Sequence, residues 1–281
     1  MKVSDFFSAL GDSGKSLVKI ILQSRPTGLK NLHPQGPLII MANGPSLNET
    51  ISENKETLCK TATMSVNFAP LSPVFFEIRP KYHILADPLF FAGDKAPENV
   101  GVLYAKLAEV EWPLTLLVPV RFAKKLPSEI RNNQNITVSK FNFVGAEGFK
   151  WLERLLFGHK LAMPRPRNVL IPALMCGIWL GYDEIFITGA DHSWMQTISV
   201  DDNNNVISVQ PHFYKEDKRE QQRVDSTYRN YRLHDIVRSF YVAFRSYHLL
   251  QRFAVKSNVK IFNSTPGSFI DSFPRKPLPK G

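Results

Sequence analysis

Four polar segments of this chain follow short apolar runs, and their side chains are of types that bind polar ligands. The first is Asn43-Gly44-Pro45-Ser46, directly after the apolar run Leu38–Met41. Asn67, Asp87 and Asp191-His192 each follow another apolar run. Amide, carboxylate and imidazole groups exchange hydrogen bonds with ligands, and carboxylates also ligate divalent cations. If the apolar runs are parallel strands of one sheet, these side chains meet at one edge of it.

The turn around Gly44 has the features of a phosphate site. We expect Gly44 to adopt a backbone conformation that a side chain would forbid, and Ser46 to cap the helix that follows. Backbone N–H groups and the positive end of a helix dipole then favour an anion beside the turn. Residues 9–16, ALGDSGKS, come within one residue of a GxxxxGK[ST] loop, but Ala9 replaces the first glycine and no strand precedes it. We therefore predict no nucleotide site there.

A charged segment near residues 212–232 has the composition of a lid over an anionic ligand, and equally that of a solvated linker. Tyrosine hydroxyls and arginines can neutralise a departing phosphate, and the segment contains Tyr214, Tyr228 and Tyr231 among several lysines and arginines. A histidine with a pKa near 6.5 can accept the proton of an attacking hydroxyl. His234 and His212 are the two candidate bases, and a surface histidine is the alternative for each.

The elements that must position these residues alternate between strand and helix, which predicts an α/β fold. We expect a Rossmann-like, mostly parallel sheet with helices on both faces, plus the lid-like segment. The strands are predicted at residues 38–41, 61–66, 82–86, 114–118, 136–143, 184–188 and 259–263, with a polar hairpin at 199–209. Residues 36–270 form a single domain with the lid at about 196–233, and residues 271–281 form a basic, proline-rich, loosely held tail.

Residues 1–35 are predicted to form an amphipathic helix and a linker. One helical stripe carries the apolar side chains, and Lys15 and Lys19 lie elsewhere; the stripe is Phe6, Phe7, Leu10, Leu17, Ile20 and Ile21. Such a helix either lies on an anionic membrane surface or docks on the core of its own protein. The sequence leaves both alternatives open.

The bulk composition points to an anionic partner in a reducing compartment. The 281 residues are 43% hydrophobic, and 35 Lys and Arg against 25 Asp and Glu leave a formal net charge of +10. A nucleotide, an acidic sugar, an anionic lipid or nucleic acid fits this charge. Two cysteines argue against a disulfide scaffold or a zinc site. Because neither a signal peptide nor a membrane span is apparent, we expect a cytoplasmic protein. Peripheral contact at the inner face of the cell membrane applies only to the alternative in which the first helix lies on a membrane.

Several segments together resemble a known family. They are ANGPSL after the first strand, the strand-end Asn67, DPLFF at 87–91, LGYDEIFITGAD at 180–191, YRLH at 231–234 and KIFNSTPGS at 260–268. The chain resembles the bacterial lipooligosaccharide sialyltransferases of glycosyltransferase family 42. It is also similar to their wider superfamily, which includes enzymes like archaeal 6-hydroxymethylpterin diphosphokinase. The resemblance covers the sheet strands of roughly half the chain.

The resemblance implies a nucleotide-sugar site at the strand ends. In the sialyltransferases, the asparagine of NGPSL and the one that ends the second strand line the pocket for the CMP-sugar, which places Asn43 and Asn67 there with Gly44, Pro45 and Ser46. A third family asparagine corresponds to Asp87, whose carboxylate would repel a sialic acid or a phosphate unless it is protonated or bridged by a metal.

The remaining family positions match this sequence less closely. Asn168 lies nearest to a Thr-Ser pair of the family. Asp191 is a candidate to bind ribose, an acceptor sugar or a metal, and His192 is either a substrate contact or a strand-end packing residue. Two lid tyrosines contact the leaving phosphate in the family, so Tyr214, Tyr228 and Tyr231 are candidates. The family's catalytic histidine lies in a YxGH context, which Tyr231-Arg232-Leu233-His234 matches loosely, and His212 is its rival.

Three functions remain open from the sequence. The first is a sialyltransferase-like glycosyltransferase without a cofactor, which passes a sugar, for example an acidic one from a CMP-sugar, to a surface glycan or a lipid-linked oligosaccharide. The second is a phosphotransferase that uses ATP and Mg²⁺, with Asp87 and Asp191 as metal ligands. The third is a non-catalytic module for an anionic ligand. Because no RNA-binding signature or basic recognition helix is apparent, nucleic acid is not an expected partner. The family's tendency to assemble is compatible with a homo-oligomer, and the sequence leaves the oligomeric state open.

Overall fold

The computed structural model of this chain describes residues 3–93, 96–208 and 231–280. Its strands are β1 Leu38–Met41, β2 Ala62–Val66, β3 Tyr82–Ile84, β4 Leu114–Pro119, β5 Ile136–Phe141, β6 Glu184–Thr188, β7 Ile198–Val200, β8 Val206–Ser208 and β9 Lys260–Asn263. Its α-helices are α1 Val3–Gln23, α2 Leu47–Lys60, α3 Pro73–Ile78, α4 Glu98–Ala108, α5 Ser128–Asn132, α6 Lys150–Gly158, α7 Leu170–Leu180 and α8 Leu233–Lys256. Each strand expected from the sequence is present, with ends that differ by at most two residues.

Seven of the strands form one parallel sheet in the order β5-β4-β3-β2-β1-β6-β9, while β7 and β8 pair as an antiparallel hairpin. The predicted α/β fold class, with a parallel sheet covered by helices, is confirmed. The predicted lid at about 196–233 lies mostly at residues 209–230, outside the described part of the chain.

Strand β1 shows why the sequence makes this sheet. All four of its residues are buried, and alternate side chains enter different hydrophobic clusters. Leu38 and Ile40 pack on the side of α7 and α8, whereas Ile39 and Met41 pack on the side of α2 and α3. A strand buried on both faces needs a continuous apolar run rather than alternation. Each such side chain contributes about 1.5–3 kcal/mol by leaving water.

The direction in which the chain adds strands reverses next to β1. Strands β2 to β5 extend the sheet on one side of β1, and β6 and β9 extend it on the other. The loops after β1 and β6 therefore diverge and leave a crevice at their carboxyl ends, which is where ligands bind in sheets of this type. Four of the predicted site segments follow β1, β2, β3 and β6.

Helix α1 does not bury the apolar stripe that the sequence suggested. Its buried residues are Ser13, Ser16 and Ile20, while Phe7 and Ile21 are 64% and 76% exposed. The helix is held instead by hydrogen bonds between its serines and the backbone at residues 147–149. The alternative in which the apolar stripe docks on the protein's own core is therefore wrong, with Ile20 as the exception.

The tail is more firmly held than its composition suggested. The backbone N–H of Asn263 donates to the carbonyl of Pro274, which adds a short parallel bridge beside β9. The Arg275 guanidinium donates to the carbonyls of Thr265, Ser268 and Ile270. The prediction of a loosely held tail is wrong up to this point, because backbone acceptors after β9 bind the arginine.

None of the helices in the described residues is both long enough and apolar enough to cross a bilayer.

Candidate functional site

A cleft of about 400 Å³ opens at the carboxyl edge of the sheet, where the strand order reverses. The structure brings together eight of the residues singled out from the sequence, and all of them line this cleft: Asn43, Gly44, Pro45, Asn67, Asp87, Asn168, Asp191 and His192. Residues far apart in the chain therefore form one surface, because each follows a strand or begins a helix at the same edge of the sheet.

The loops after β1 and β6 touch backbone to backbone on the floor of the cleft. The N–H of Gly44 donates to the carbonyl of Gly189 at 2.7 Å. A Cβ on Gly44 would lie 1.9 Å from Asp191 Oδ2 and 2.6 Å from the Gly189 oxygen. The backbone of Gly44 is not left-handed, so the sequence-based reason for this glycine is wrong. Space for the second loop, not a special backbone angle, requires glycine here.

Ser46 lies behind the cleft wall and does not cap α2. Its hydroxyl donates to Asp191 Oδ2 at 2.8 Å, and it makes no capping hydrogen bond to the helix. The capping prediction is wrong because Ser46 already has helical backbone angles, and because the Asp191 carboxylate, a stronger acceptor, lies within reach. Ser46 thus fixes the orientation of a carboxylate that faces the cleft.

Three asparagines that line the cleft each have one buried polar atom without a hydrogen-bond partner in the described residues. The atoms are Oδ1 of Asn43, Oδ1 of Asn67 and Nδ2 of Asn168. Asn43 Nδ2 donates to the carbonyl of Val66, which fixes its amide so that Oδ1 is the spare acceptor. Buried polar atoms are normally paired because leaving one unpaired costs about 1–3 kcal/mol. Unpaired atoms on a cleft wall mark positions for a ligand's hydrogen bonds.

Asn67 also has a backbone role. It follows β2 with a φ of 48°, a left-handed conformation that asparagine adopts more readily than most residues. Its N–H donates to the carbonyl of Ile84 at the end of β3. The residue therefore turns the chain at the sheet edge and directs its amide to the cleft.

A hydrogen-bonded chain of three side chains connects two residues that line the cleft, Asn168 and His192, through the fully buried Tyr247. The Tyr247 hydroxyl, buried on α8, donates to Asn168 Oδ1 at 2.9 Å and lies 2.6 Å from His192 Nε2. Asn168 Oδ1 also accepts from the N–H of Leu170, the first residue of α7, which fixes the orientation of the amide. Because the Tyr247 proton goes to Asn168, His192 must donate its Nε2–H to Tyr247. The free lone pair of His192 is therefore on Nδ1.

Burial keeps His192 neutral. The residue is 9% exposed, and its ring lies 4.1 Å, centroid to centroid, from the indole of Trp194. Desolvation lowers the pKa of His192 to about 3, because a buried imidazolium loses the stabilisation that water gives it. Burial also raises the pKa of the Tyr247 hydroxyl. At neutral pH His192 and Tyr247 are therefore uncharged hydrogen-bonding groups, and neither acts as a charged acid or base.

Few charges line the cleft within the described residues. They are the carboxylates of Asp87 and Asp191 and the guanidinium of Arg167. Asp87 Oδ1 accepts from the N–H of Leu89, which leaves its second oxygen available. No group of three or more His, Cys, Asp or Glu side chains there could hold a metal ion. Two carboxylates do suffice for Mg²⁺ that arrives on substrate phosphates.

The remaining candidates either lie away from the cleft or fall outside the described residues. His234 lies in the first turn of α8, and its side chain is 79% exposed and 3.4 Å from Asp235 Oδ1. Neither His234 nor the exposed Tyr231 lines the cleft. His212, Tyr214 and Tyr228 lie outside the described residues. The catalytic roles of His234 and His212 stay predictions.

The sequence reasoning missed two residues of the site: Trp194, which lines the cleft, and Tyr247, which is buried and bonds to the lining residues Asn168 and His192. Trp194 follows His192 closely in the chain, so an aromatic residue just after a strand-end motif was an available signal. Tyr247 lies within an amphipathic helix more than 50 residues away, and its position resembles that of any other buried aromatic residue. Only the packing of α8 against α7 reveals its role.

The comparisons with known proteins support the architecture. No protein-family model and no curated protein sequence matches this chain. Among solved structures, the chain is similar to the MAf glycosyltransferase from Magnetospirillum magneticum AMB-1, with 15% sequence identity and a TM-score of 0.50. The match covers 90% of this chain and 35% of that one, so this chain spans about a third of the neighbour's length. At this identity the similarity establishes a shared fold.

Proposed function

We propose that this protein is a glycosyltransferase that binds a nucleotide-activated sugar in the cleft beside Gly44. The observation that carries the proposal is the set of unpaired amide atoms of Asn43, Asn67 and Asn168, three residues that line the same cleft. Two acceptors and one donor in fixed positions suit a ligand with many hydroxyl and amine groups, such as a nucleoside or a sugar. The fold shared with a solved glycosyltransferase adds support.

The residues divide the task as follows in this proposal. Asn43 and Asn67 bind the nucleoside part of the donor, and His192 Nδ1 accepts a hydrogen bond from a hydroxyl of donor or acceptor. The base that deprotonates the acceptor is His234 or His212. Hydroxyls of Tyr214, Tyr228 and Tyr231 stabilise the departing phosphate, since charge that develops there needs donors close by.

The donor and the acceptor follow from the resemblance to sialyltransferases. The donor is a CMP-sugar. Its single phosphate brings less negative charge than a diphosphate would to a cleft that two carboxylates and one guanidinium line among the described residues. The acceptor is a surface glycan or a lipid-linked oligosaccharide. No metal cofactor takes part in this reaction.

Calorimetric titration with CMP, UDP, GDP and ATP, each with and without Mg²⁺, tests the proposal. We expect CMP to bind without metal and Asn43→Ala to weaken the binding at least tenfold, because a hydrogen bond in a buried site contributes about 1.4 kcal/mol or more. The matched control is Asn132→Ala, on an exposed asparagine at the end of α5. Equal affinity in both variants, or no binding of any nucleotide, would contradict the proposed site.

A second function is favoured by the two carboxylates on the cleft wall. Asp87 and Asp191 are the ligand type that Mg²⁺ takes in phosphotransferases, where the metal also contacts the substrate phosphates. Binding of ATP only in the presence of Mg²⁺ would replace the glycosyltransferase proposal with this one.

Asp87→Asn separates the two functions, because it removes a charge and keeps the acceptor of the Leu89 N–H. If the protein is a glycosyltransferase, we expect CMP to bind several-fold more tightly in the variant, since a carboxylate no longer faces the phosphate. If it is a phosphotransferase, Mg-ATP binding falls at least tenfold. The same titrations measure both outcomes, and Asp202→Asn on the exposed β7–β8 turn is the control.

A further inference from the structure

Helix α1 presents a broad apolar surface to solvent. Eight large apolar side chains on one side of the helix are exposed: Val3, Phe6, Phe7, Leu10, Leu17, Val18, Ile21 and Leu22. At about 100° per residue these positions form one continuous arc. We call this arc the outer face of α1. A contiguous exposed surface of this kind marks an interaction site rather than scattered apolar residues.

Polar contacts on the other side of the helix hold the outer face outward. The N–H of Phe149 donates to Ser13 Oγ at 3.0 Å, and Ser16 Oγ donates to the carbonyl of Glu147 at 2.7 Å. A Cβ on Gly148 would lie 2.2 Å from Ser13 Oγ, so helix and loop are in close contact. Turning the outer face inward would break these hydrogen bonds. Its exposure is therefore part of the fold.

The outer face continues onto helix α6 through a row of aromatic rings. Phe6 lies 5.5 Å from the ring of Phe149, and Phe149 stacks on Trp151 at 6.4 Å, both measured between centroids. Trp151 is 66% exposed, and Leu155, one turn further along α6, is exposed as well. Tryptophan and phenylalanine are typical of helices that lie in a membrane interface.

Positive charges border this surface. Lys15 and Lys19 lie beside the outer face on α1. Trp151 lines a groove of about 480 Å³ between α6 and α8, whose cations are Lys150, Arg154, Arg252 and Lys256. We call this the basic groove. Among the described residues, Lys15 lies 3.8 Å from Asp12 and Arg252 lies 3.9 Å from the buried Glu153, and Asp5 is a further carboxylate on α1. The cations outnumber them.

We propose that the outer face of α1, with Trp151, Leu155 and the basic groove, binds the surface of an anionic phospholipid bilayer. The apolar side chains enter the boundary between headgroups and acyl chains, and the cations bind the phosphates above it. A second copy of this chain fits less well, because a two-fold contact would bring the same cations together in a protein of net charge +10. This inference concerns a surface separate from the cleft residues and does not depend on the proposed transfer reaction.

Vesicle flotation tests the inference with the 281-residue chain. We expect the protein to float with vesicles of phosphatidylcholine and phosphatidylglycerol, and to bind vesicles of phosphatidylcholine alone at least tenfold more weakly. The variant Phe7→Glu with Ile21→Glu should lose at least tenfold in binding. Val102→Glu with Tyr241→Glu is the control, because both residues are exposed outside the surface and the charge change is the same.

A second measurement reports direct lipid contact. Brominated acyl chains should quench part of the tryptophan fluorescence, and Trp151→Phe should remove that quenching, while the three other tryptophans remain. Thermal unfolding of each variant within a few degrees of wild type shows that it is folded. Equal losses in the test and control variants, absence of flotation, or a dimer that only Phe7→Glu with Ile21→Glu dissociates would overturn the inference.

Discussion

Gly44→Ala should reduce nucleotide binding at least a hundredfold and lower the free energy of unfolding by about 1–3 kcal/mol, the usual cost of overpacking. The Asp191 carboxylate could swing away from the new methyl group, but it would then lose the hydrogen bond from Ser46. The Gly189 carbonyl cannot swing, because it belongs to the backbone and accepts from the Gly44 N–H. The loops after β1 and β6 must therefore separate, which opens the floor of the cleft.

Gly101→Ala is the matched control for this substitution. Gly101 lies within α4, and a Cβ there would meet no atom within 4 Å. Alanine in an exposed helix interior is more stable than glycine by about 0.8–1 kcal/mol. We therefore expect a small rise in melting temperature and unchanged nucleotide affinity. Wild-type binding in Gly44→Ala would show that the contact between the two loops does not shape the ligand site.

Acidification should destabilise this protein through two buried histidines. Desolvation lowers the pKa of both His83 and His192 to about 3, from an ordinary value of 6.5. Below pH 6.5 these two histidines bind protons in the unfolded chain but stay neutral in the folded chain. Their contribution to the free energy of unfolding is therefore fully present above pH 6.5 and is lost as the pH falls towards 3. At pH 4 each histidine should contribute on the order of 3 kcal/mol to the loss.

Melting temperatures between pH 8 and pH 4 test this expectation. His83→Gln and His192→Gln should each flatten the profile, since glutamine does not titrate, whereas His159→Gln on an exposed residue should keep the wild-type profile. Proton NMR of the imidazole rings gives a second reading on the wild-type protein, where two histidines should stay neutral at pH 5. Two fully titrating rings, or an identical stability at pH 4.5 and pH 7.5, would refute the assignment.

The sequence by itself determined the strands, the parallel sheet and the polar residues that line the cleft directly after β1, β2, β3 and β6. Runs such as LIIM at β1 can be assigned as strands from the sequence, because a strand buried on both faces must be apolar throughout. Polar residues directly after such strands are brought to one edge by the topology, so Asn43, Asn67, Asp87 and Asp191 could be grouped before any coordinates were known.

Tertiary structure alone decided how these residues are used. The sequence assigned Gly44 to a backbone requirement and Ser46 to a cap, but the loop after β6 takes the space above Gly44 and the hydroxyl of Ser46. Tyr247 could not be identified because its partners, His192 and Asn168, are 55 and 79 residues away in the chain. Contacts between distant segments depend on packing rather than on local periodicity.

Helix α1, at the surface, also separates what the sequence determines from what only the tertiary structure determines. Its amphipathic pattern could be predicted from the sequence, since 3.6-residue periodicity is a local property. The sequence did not show which side of the helix faces the protein. Two serines that look like ordinary polar residues in the sequence make the hydrogen bonds that hold the helix. Periodicity shows that a helix has two faces, and only the partner surface, here the backbone at residues 147–149, determines which of them is buried.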